Sequence, residues 1–224
     1  MRLIKICAAP VLLLFLSGCL SIPKAQDYSA FRAAVPASIL VLPPINNTTE
    51  VIAPYGVLSH VATPIAESGY YVYPVAVVEQ TFKNNGLTVA DDVHMVPVAK
   101  LREIFGADAA LYMKISEYGT SYNVITSETR VTIEATLVDI RTGTVLWQKT
   151  ATASSAEGRN NQGGLLGSLL EAAVNQVIET VGDRGFDISQ ITSARLLSAD
   201  SHNGLMYGPR SPKFNQKNVA EQSN

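Results

Sequence analysis

Little in this sequence suits metal or redox chemistry. It has two cysteines, Cys7 and Cys19, one tryptophan, and three widely separated histidines, His60, His94 and His202, among 224 residues. No Cys or His pair stands at a ligand spacing such as C-x2-C or H-x3-H, so a bound zinc is not expected. Charged residues make up 16% of the chain, and 17 Lys+Arg against 19 Asp+Glu leave a net charge of -2 with no long basic run. That balance speaks against nucleic-acid binding as the main task. No apolar run reaches the roughly 20 residues of a membrane-spanning helix. G-x-S-x-G, G-x-G-x-x-G and phosphate-loop patterns are missing, and Gly163, Gly164 and Gly167 lack the lysine that would hold a phosphate. What is present, 47% hydrophobic residues over the length of one domain plus tails, is enough for a packed core.

The start of the chain reads as an address. Arg2 and Lys5 precede an apolar stretch from Ile6 to Leu16 broken only by Pro10, the length of a signal-peptide core. Leu16-Ser17-Gly18-Cys19 then matches a lipobox, where small residues admit the processing peptidase and the thiol accepts diacylglycerol. Residues 1–18 are therefore expected to be a lipoprotein signal peptide and Cys19 the lipidated first residue of the mature chain. Cys7 leaves with the signal, so no disulfide is expected even in an oxidising compartment. Several acyl chains, palmitate among them, give stable anchoring at about 0.8 kcal/mol per buried methylene. Leu20 in place of Asp after the cysteine favours the outer membrane, on its periplasmic or surface face. No cofactor is expected beyond this covalent lipid.

Four segments follow from the composition: the signal at 1–18, a lipidated tether at 19–37, one α/β domain at 38–198 and an irregular tail at 199–224. Ser38 to Leu42 is an apolar strand closed by Pro43-Pro44. Tyr55 to Glu67 has helical spacing that Pro64 should kink or split, with Gly69 as its stop. Tyr70 to Tyr73 reads as a short strand, Val75 to Lys83 as a helix ended by Asn84-Asn85-Gly86, and Pro97 to Phe105 as another helix. Alternation then takes over, with Leu111, Met113 and Ile115 on one face of a strand and Val131, Ile133, Ala135 and Leu137 on one face of the next. The stretch Asp139 to Gly143 should turn that strand into Val145-Leu146-Trp147, Gly143 supplying the positive φ of a bulged hairpin. Ser154 to Gly164 looks mobile, and Leu166, Leu169, Leu170, Val174, Val177, Ile178 and Val181 form the apolar stripe of a helix lying on the sheet. The expected fold is thus α/β (α+β): a mixed sheet with a strand-helix-strand-helix start, an antiparallel hairpin and a packed C-terminal amphipathic helix.

No catalytic set emerges from the polar residues. His60 lies beside apolar neighbours and reads as a satisfied, partly buried histidine. Asp91, Asp92, Glu103 and Asp108 have no positioned partner in the sequence and read as helix caps or solvated faces. The tyrosines are more informative. Tyr70, Tyr71 and Tyr73 cluster at one strand, and Tyr112, Tyr118 and Tyr122 lie along another, where an apolar ring with a polar tip suits a partner surface or a half-exposed strand equally.

Several stretches together resemble a bacterial lipoprotein family known mainly from genome-derived antigen surveys: Ser38 to Pro44, Ala66 to Val72, Asn85-Gly86-Leu87-Thr88, Gly106-Ala107-Asp108-Ala109, and the hairpin from Val138 to Gly143 with Leu146-Trp147. The resemblance runs from about Asp27 to Pro212. It implies a fold similar to the N-terminal α/β domain of the Tol translocation protein and to the globular part of the curli-secretion lipoprotein, and it carries no catalytic residue. The expectation is a non-enzymatic envelope module, anchored in the membrane by lipid, that binds other envelope proteins or itself. The alternative is a subunit of a pore-forming secretion or transport complex like the curli-secretion lipoprotein, which needs strands of 9 to 11 residues per crossing.

Overall fold

The computed structural model describes residues 26–122, 127–157 and 184–214. The signal peptide, Cys19 and the first part of the tether lie outside them, as do most of the 154–164 stretch, the 166–181 stripe, the Tyr122 side chain and residues 215–224. In chain order the elements are α1 Ser29–Ala34, β1 Ser38–Val41, β2 Ile45–Asn46, α2 Ala53–Glu67, β3 Tyr71–Val72, α3 Val75–Asn84, α4 Ala90–His94, α5 Val98–Phe105, β4 Ala109–Tyr122, β5 Ser127–Asp139, β6 Val145–Ser154 and α6 Arg184–Leu197. One mixed sheet runs β3-β1-β4-β5-β6, with β2 continuing the line of β1 along β4. β3, β1 and β4 pair in parallel, whereas β4, β5 and β6 pair antiparallel.

The alternation of apolar residues explains the layering. Ile39 and Val41 face a core shared with α2 and α6, while Leu40 and Leu42 face a second core with α3, α4 and α5. A strand covered on both sides must be apolar at every position, which is what Ile39 to Leu42 delivers before Pro43-Pro44 ends it. Leu111, Met113, Ile115, Val131, Ile133 and Leu137 all point to the first core, at most 1% exposed. The hairpin forms as its sequence demands: Gly143 takes φ 78° and its amide donates to the Asp139 carbonyl at 2.8 Å. The Arg141 guanidinium beside Asp139 holds that carboxyl below the usual carboxylate range, and Arg141 Nη2 also donates to the Ala34 carbonyl at 2.7 Å.

Several expectations differ from the structure. Pro64 does not split α2 into two helices; it sits in the last turn, where the missing amide costs one hydrogen bond close to the helix end. α4 over Ala90–His94 was not legible, although Asp91 and Asp92 do occupy its first turn. Asp108 has a positioned partner after all: its Oδ2 accepts from the amides of Ala37 and Ser38 and from Ser38 Oγ at 3.0–3.1 Å, fixing the start of β1 against β4.

The two flanks of the expected domain also pack onto it. Within the segment read as tether, α1 places Phe31 in the first core at 3% exposure. Within the segment read as tail, Leu205, Met206 and Tyr207 are 1–7% exposed. The helix packed against α2 and the sheet among the described residues is α6, C-terminal to the 166–181 stripe from which a helix was expected.

Candidate functional site

The tyrosine set divides into buried and exposed members. Tyr70, 4% exposed, donates its hydroxyl to the Met206 carbonyl at 2.5 Å and packs against Phe31, so it ties the C-terminal segment to the core. Burial pushes its phenol far above the ordinary value. Tyr118 is buried as well, at 7%. The alternation of β4 would place Tyr118 on the solvent side with Tyr112, but the register shifts between Ile115 and Glu117. That bulge reverses the faces beyond it and turns Tyr118 inward over α2, where a Cβ on Gly56 would lie 2.5 Å from the phenol oxygen. Neither ring is available to a partner in this fold.

Tyr71, Tyr73 and Tyr112 stay nearer the surface. Tyr71 is 42% exposed on β3, the edge strand. Its ring meets Tyr73 edge to face at 5.1 Å, and the Arg210 guanidinium lies 5.5 Å from its centroid. Tyr73 continues inward against Phe105 at 6.4 Å. The result is a small aromatic patch with an arginine over it, anchored at its inner end in the second core. Arginine and aromatic residues of this kind supply most of the binding energy of protein interfaces. Tyr112 is half-buried, its hydroxyl pushed up by burial, and stacks edge to face on His94 at 5.2 Å. Sequence spacing named the tyrosines of this patch but not Arg210, which reaches Tyr71 because its amide binds the Gly69 carbonyl at 3.2 Å.

His60, His94 and Lys149 are each partly buried. His94 Nε2 lies 2.9 Å from the Pro43 carbonyl, and burial pushes its pKa down. His60 departs from the satisfied histidine expected. It rests on Phe186 at 4.4 Å with its Nε2 buried and unpartnered, and burial lowers its pKa against the opposing pull of Asp187. Lys149 Nζ donates to the carbonyls of Arg195 and His202 and to Ser201 Oγ at 2.6–3.0 Å, holding the end of α6 to β6. Among the described residues no cluster of three or more His, Cys, Asp or Glu could hold a metal, and no helix is long and apolar enough to cross a membrane. The outward face of the β4-β5-β6 hairpins is polar: Thr132 donates to Glu117 at 2.5 Å and pairs with Thr152 at 2.9 Å, beside exposed Lys114, Glu134 and Arg130.

The fold, with helices on both faces of a mixed sheet, is that of an α/β domain, and the Leu16 to Cys19 pattern ahead of it is the one expected of an envelope lipoprotein. Residues 26–210 match the model of one family, described as "Putative lipoprotein GNA1162-like", and the chain belongs to that family. It is 50% identical over 200 residues, 88% of this chain and 92% of the relative, to "Putative lipoprotein NMB1124/NMB1162" of Neisseria meningitidis serogroup B. The crystal structure of lipoprotein GNA1162 from Neisseria meningitidis superposes with a TM-score of 0.53 at 49% identity, covering 65% of this chain and 100% of that one. A distant likeness, with a TM-score of 0.40 and 17% identity over 69% of this chain and 90% of the other, is to a PelC dodecamer from Paraburkholderia phytofirmans; at that distance it says nothing of how this chain assembles.

Proposed function

We propose that this lipoprotein is a non-catalytic contact module, anchored through Cys19 in the outer membrane, that binds an envelope protein or a second copy of itself through the β3 edge. The observation that carries the reading is the exposed Tyr71 ring, braced by Tyr73 and covered by Arg210 on an edge strand. An edge strand already offers unpaired backbone groups, and an aromatic anchor with a guanidinium beside it is what a partner would bury. Family membership supports the membrane anchor, and the Leu16 to Cys19 lipobox supports the particular residue.

The pore-forming alternative has less support. β4 and β5, at 14 and 13 residues, are long enough for a crossing, but their outward side chains are Thr, Glu, Lys and Arg where lipid would demand an apolar band. The test of the contact reading is the mass of the complex extracted in mild detergent from wild type and from Tyr71→Ala. Truncating an exposed ring leaves the core intact, so the variant should melt like wild type yet lose its partner. A wild-type chain that extracts as a lone monomer would overturn it. Intact mass of the extracted protein, with Cys19→Ala beside it, tests the anchor separately.

A further inference from the structure

Arg130, Arg141 and Arg195 each pair with a carboxylate of this chain, on Glu128, Asp139 and Glu157, at 2.6–2.8 Å. Arg210 does not. It is exposed, its guanidinium lies 5.5 Å from the centroid of the Tyr71 ring, and among the described residues no carboxylate pairs with it. A ring face attracts the cation but lacks the two oxygens that match the guanidinium fork. The backbone beneath it is fixed: the Gly208 amide donates to the Ser68 carbonyl at 2.8 Å, the Arg210 amide to the Gly69 carbonyl at 3.2 Å, and the Ser211 amide closes the turn on the Gly208 carbonyl at 2.9 Å. The cation is therefore presented beside β3 from a docked turn.

The strand edge next to that cation is short. The amides of Tyr71 and Tyr73 donate to the carbonyls of Ala37 and Ile39 at 3.0 and 3.4 Å, so the alternation of a strand turns the amide and carbonyl of Val72 away from β1. Pro74 has no amide with which to extend the pairing. Two backbone hydrogen bonds are too few to hold a partner or to choose one, so the side chains at this edge must do both. We infer that the partner is a protein segment in extended conformation that pairs with Val72, sets a carboxylate in the fork of Arg210 and lays an apolar side chain against Tyr71. The inference rests on contact at the β3 edge and adds the chemistry that selects the partner. An Asp, a Glu or a chain terminus supplies the carboxylate. A neutral or basic segment would cover the guanidinium and leave it unpaired, a cost that discriminates against such partners.

The test uses the full lipoprotein in intact cells, with benzoylphenylalanine at position 71 and Arg210 either retained or changed by Arg210→Lys, Arg210→Gln or Arg210→Glu. Each substitution keeps the backbone bond to the Gly69 carbonyl and should melt like wild type. Irradiation should give a protein adduct that persists in Arg210→Lys and falls at least about tenfold in Arg210→Gln and Arg210→Glu. In a second measurement without the photoprobe, Arg210→Lys cells are treated with a carbodiimide, which joins an amine to a carboxylate in contact with it. Mass spectrometry should then find an amide between position 210 and an Asp, Glu or terminal carboxyl of the protein seen in the photo-adduct. An adduct undiminished in Arg210→Glu, or no such amide at position 210, overturns the inference and leaves contact at the β3 edge standing. No adduct from position 71 with Arg210 in place removes that contact and the inference with it.

Discussion

Replacing Gly208 with alanine puts a methyl group where the fold has another backbone. The new Cβ would lie 2.5 Å from the Gly69 carbonyl oxygen, 2.8 Å from its carbon and 2.8 Å from Tyr70 Cδ1. Two of these atoms belong to the chain itself and cannot swing aside, so the 204–211 segment must lift. Lifting it stretches the bond from the Gly208 amide to the Ser68 carbonyl at 2.8 Å and the bond from the Arg210 amide to the Gly69 carbonyl at 3.2 Å. Each is worth about 0.5–1.5 kcal/mol, and overpacking adds about 1–3 kcal/mol. A central value of about 4 kcal/mol should lower the melting temperature by roughly 8–16 °C in a domain of this length. Gly86→Ala is the matched control, because Gly86 has φ 83° but nothing within 4 Å, so it should lose only the roughly 1–2 kcal/mol of the left-handed backbone. Circular dichroism melts of both variants decide the matter. If Gly208→Ala melts no lower than Gly86→Ala, the C-terminal segment is not part of the folded unit and the reasoning fails.

Other variants address separate elements. Gly143→Val forces a β-branched residue to φ 78° in the β5-β6 hairpin and should cost at least about 1–2 kcal/mol; an unchanged melt would mean that the turn is wrong. Tyr70→Phe leaves the Met206 carbonyl without its buried donor and should cost about 1–3 kcal/mol in chemical denaturation, whereas Tyr71→Ala should stay within about 0.5 kcal/mol of wild type. Burial, helped by Arg195, pushes Lys149 down to about 8. In the unfolded chain it stays protonated to about 10.4, so the unfolded state binds more protons between those values and stability should rise with pH there. Denaturation midpoints at either end of that window, compared with Lys149→Met, check the sign; a wild type that loses stability relative to the variant would mean that the three acceptors around the ammonium outweigh its burial.

Much of the sheet was legible because its pattern is simple. A run apolar at every position announced a strand buried on both faces, and Gly143 after Asp139 announced the hairpin. The bulge at Ser116 was not legible, since nothing in Ile115-Ser116-Glu117 breaks the alternation, and it moved Tyr118 from the expected surface to the core. α6 was missed for a different reason. Its buried face uses Ser189, Thr192 and Ser193, each 0% exposed, so it reads as polar. Ser189 and Thr192 satisfy their hydroxyls on the Phe186 and Ile188 carbonyls of their own helix, which lets a polar sequence pack as an apolar one. The burial of 205–207 was equally hidden, because Gly208 docks backbone against backbone and leaves no hydrophobic period to read. Of the candidate site, Tyr71 and Tyr73 were visible as residue types, while their separation from Tyr70 required knowing which side of β3 faces the core.

The account rests on contact at the β3 edge by a chain held at a membrane, and photo-crosslinking in intact cells tests that most directly. A benzoylphenylalanine at position 71, with another at exposed position 95 as control, would be irradiated in cells and the adducts identified by mass spectrometry. The account predicts one defined adduct from position 71, with an envelope protein or a second copy of the chain, absent from position 95. A membrane-anchored, folded protein that gives no adduct from position 71, or the same adducts from both positions, would contradict it.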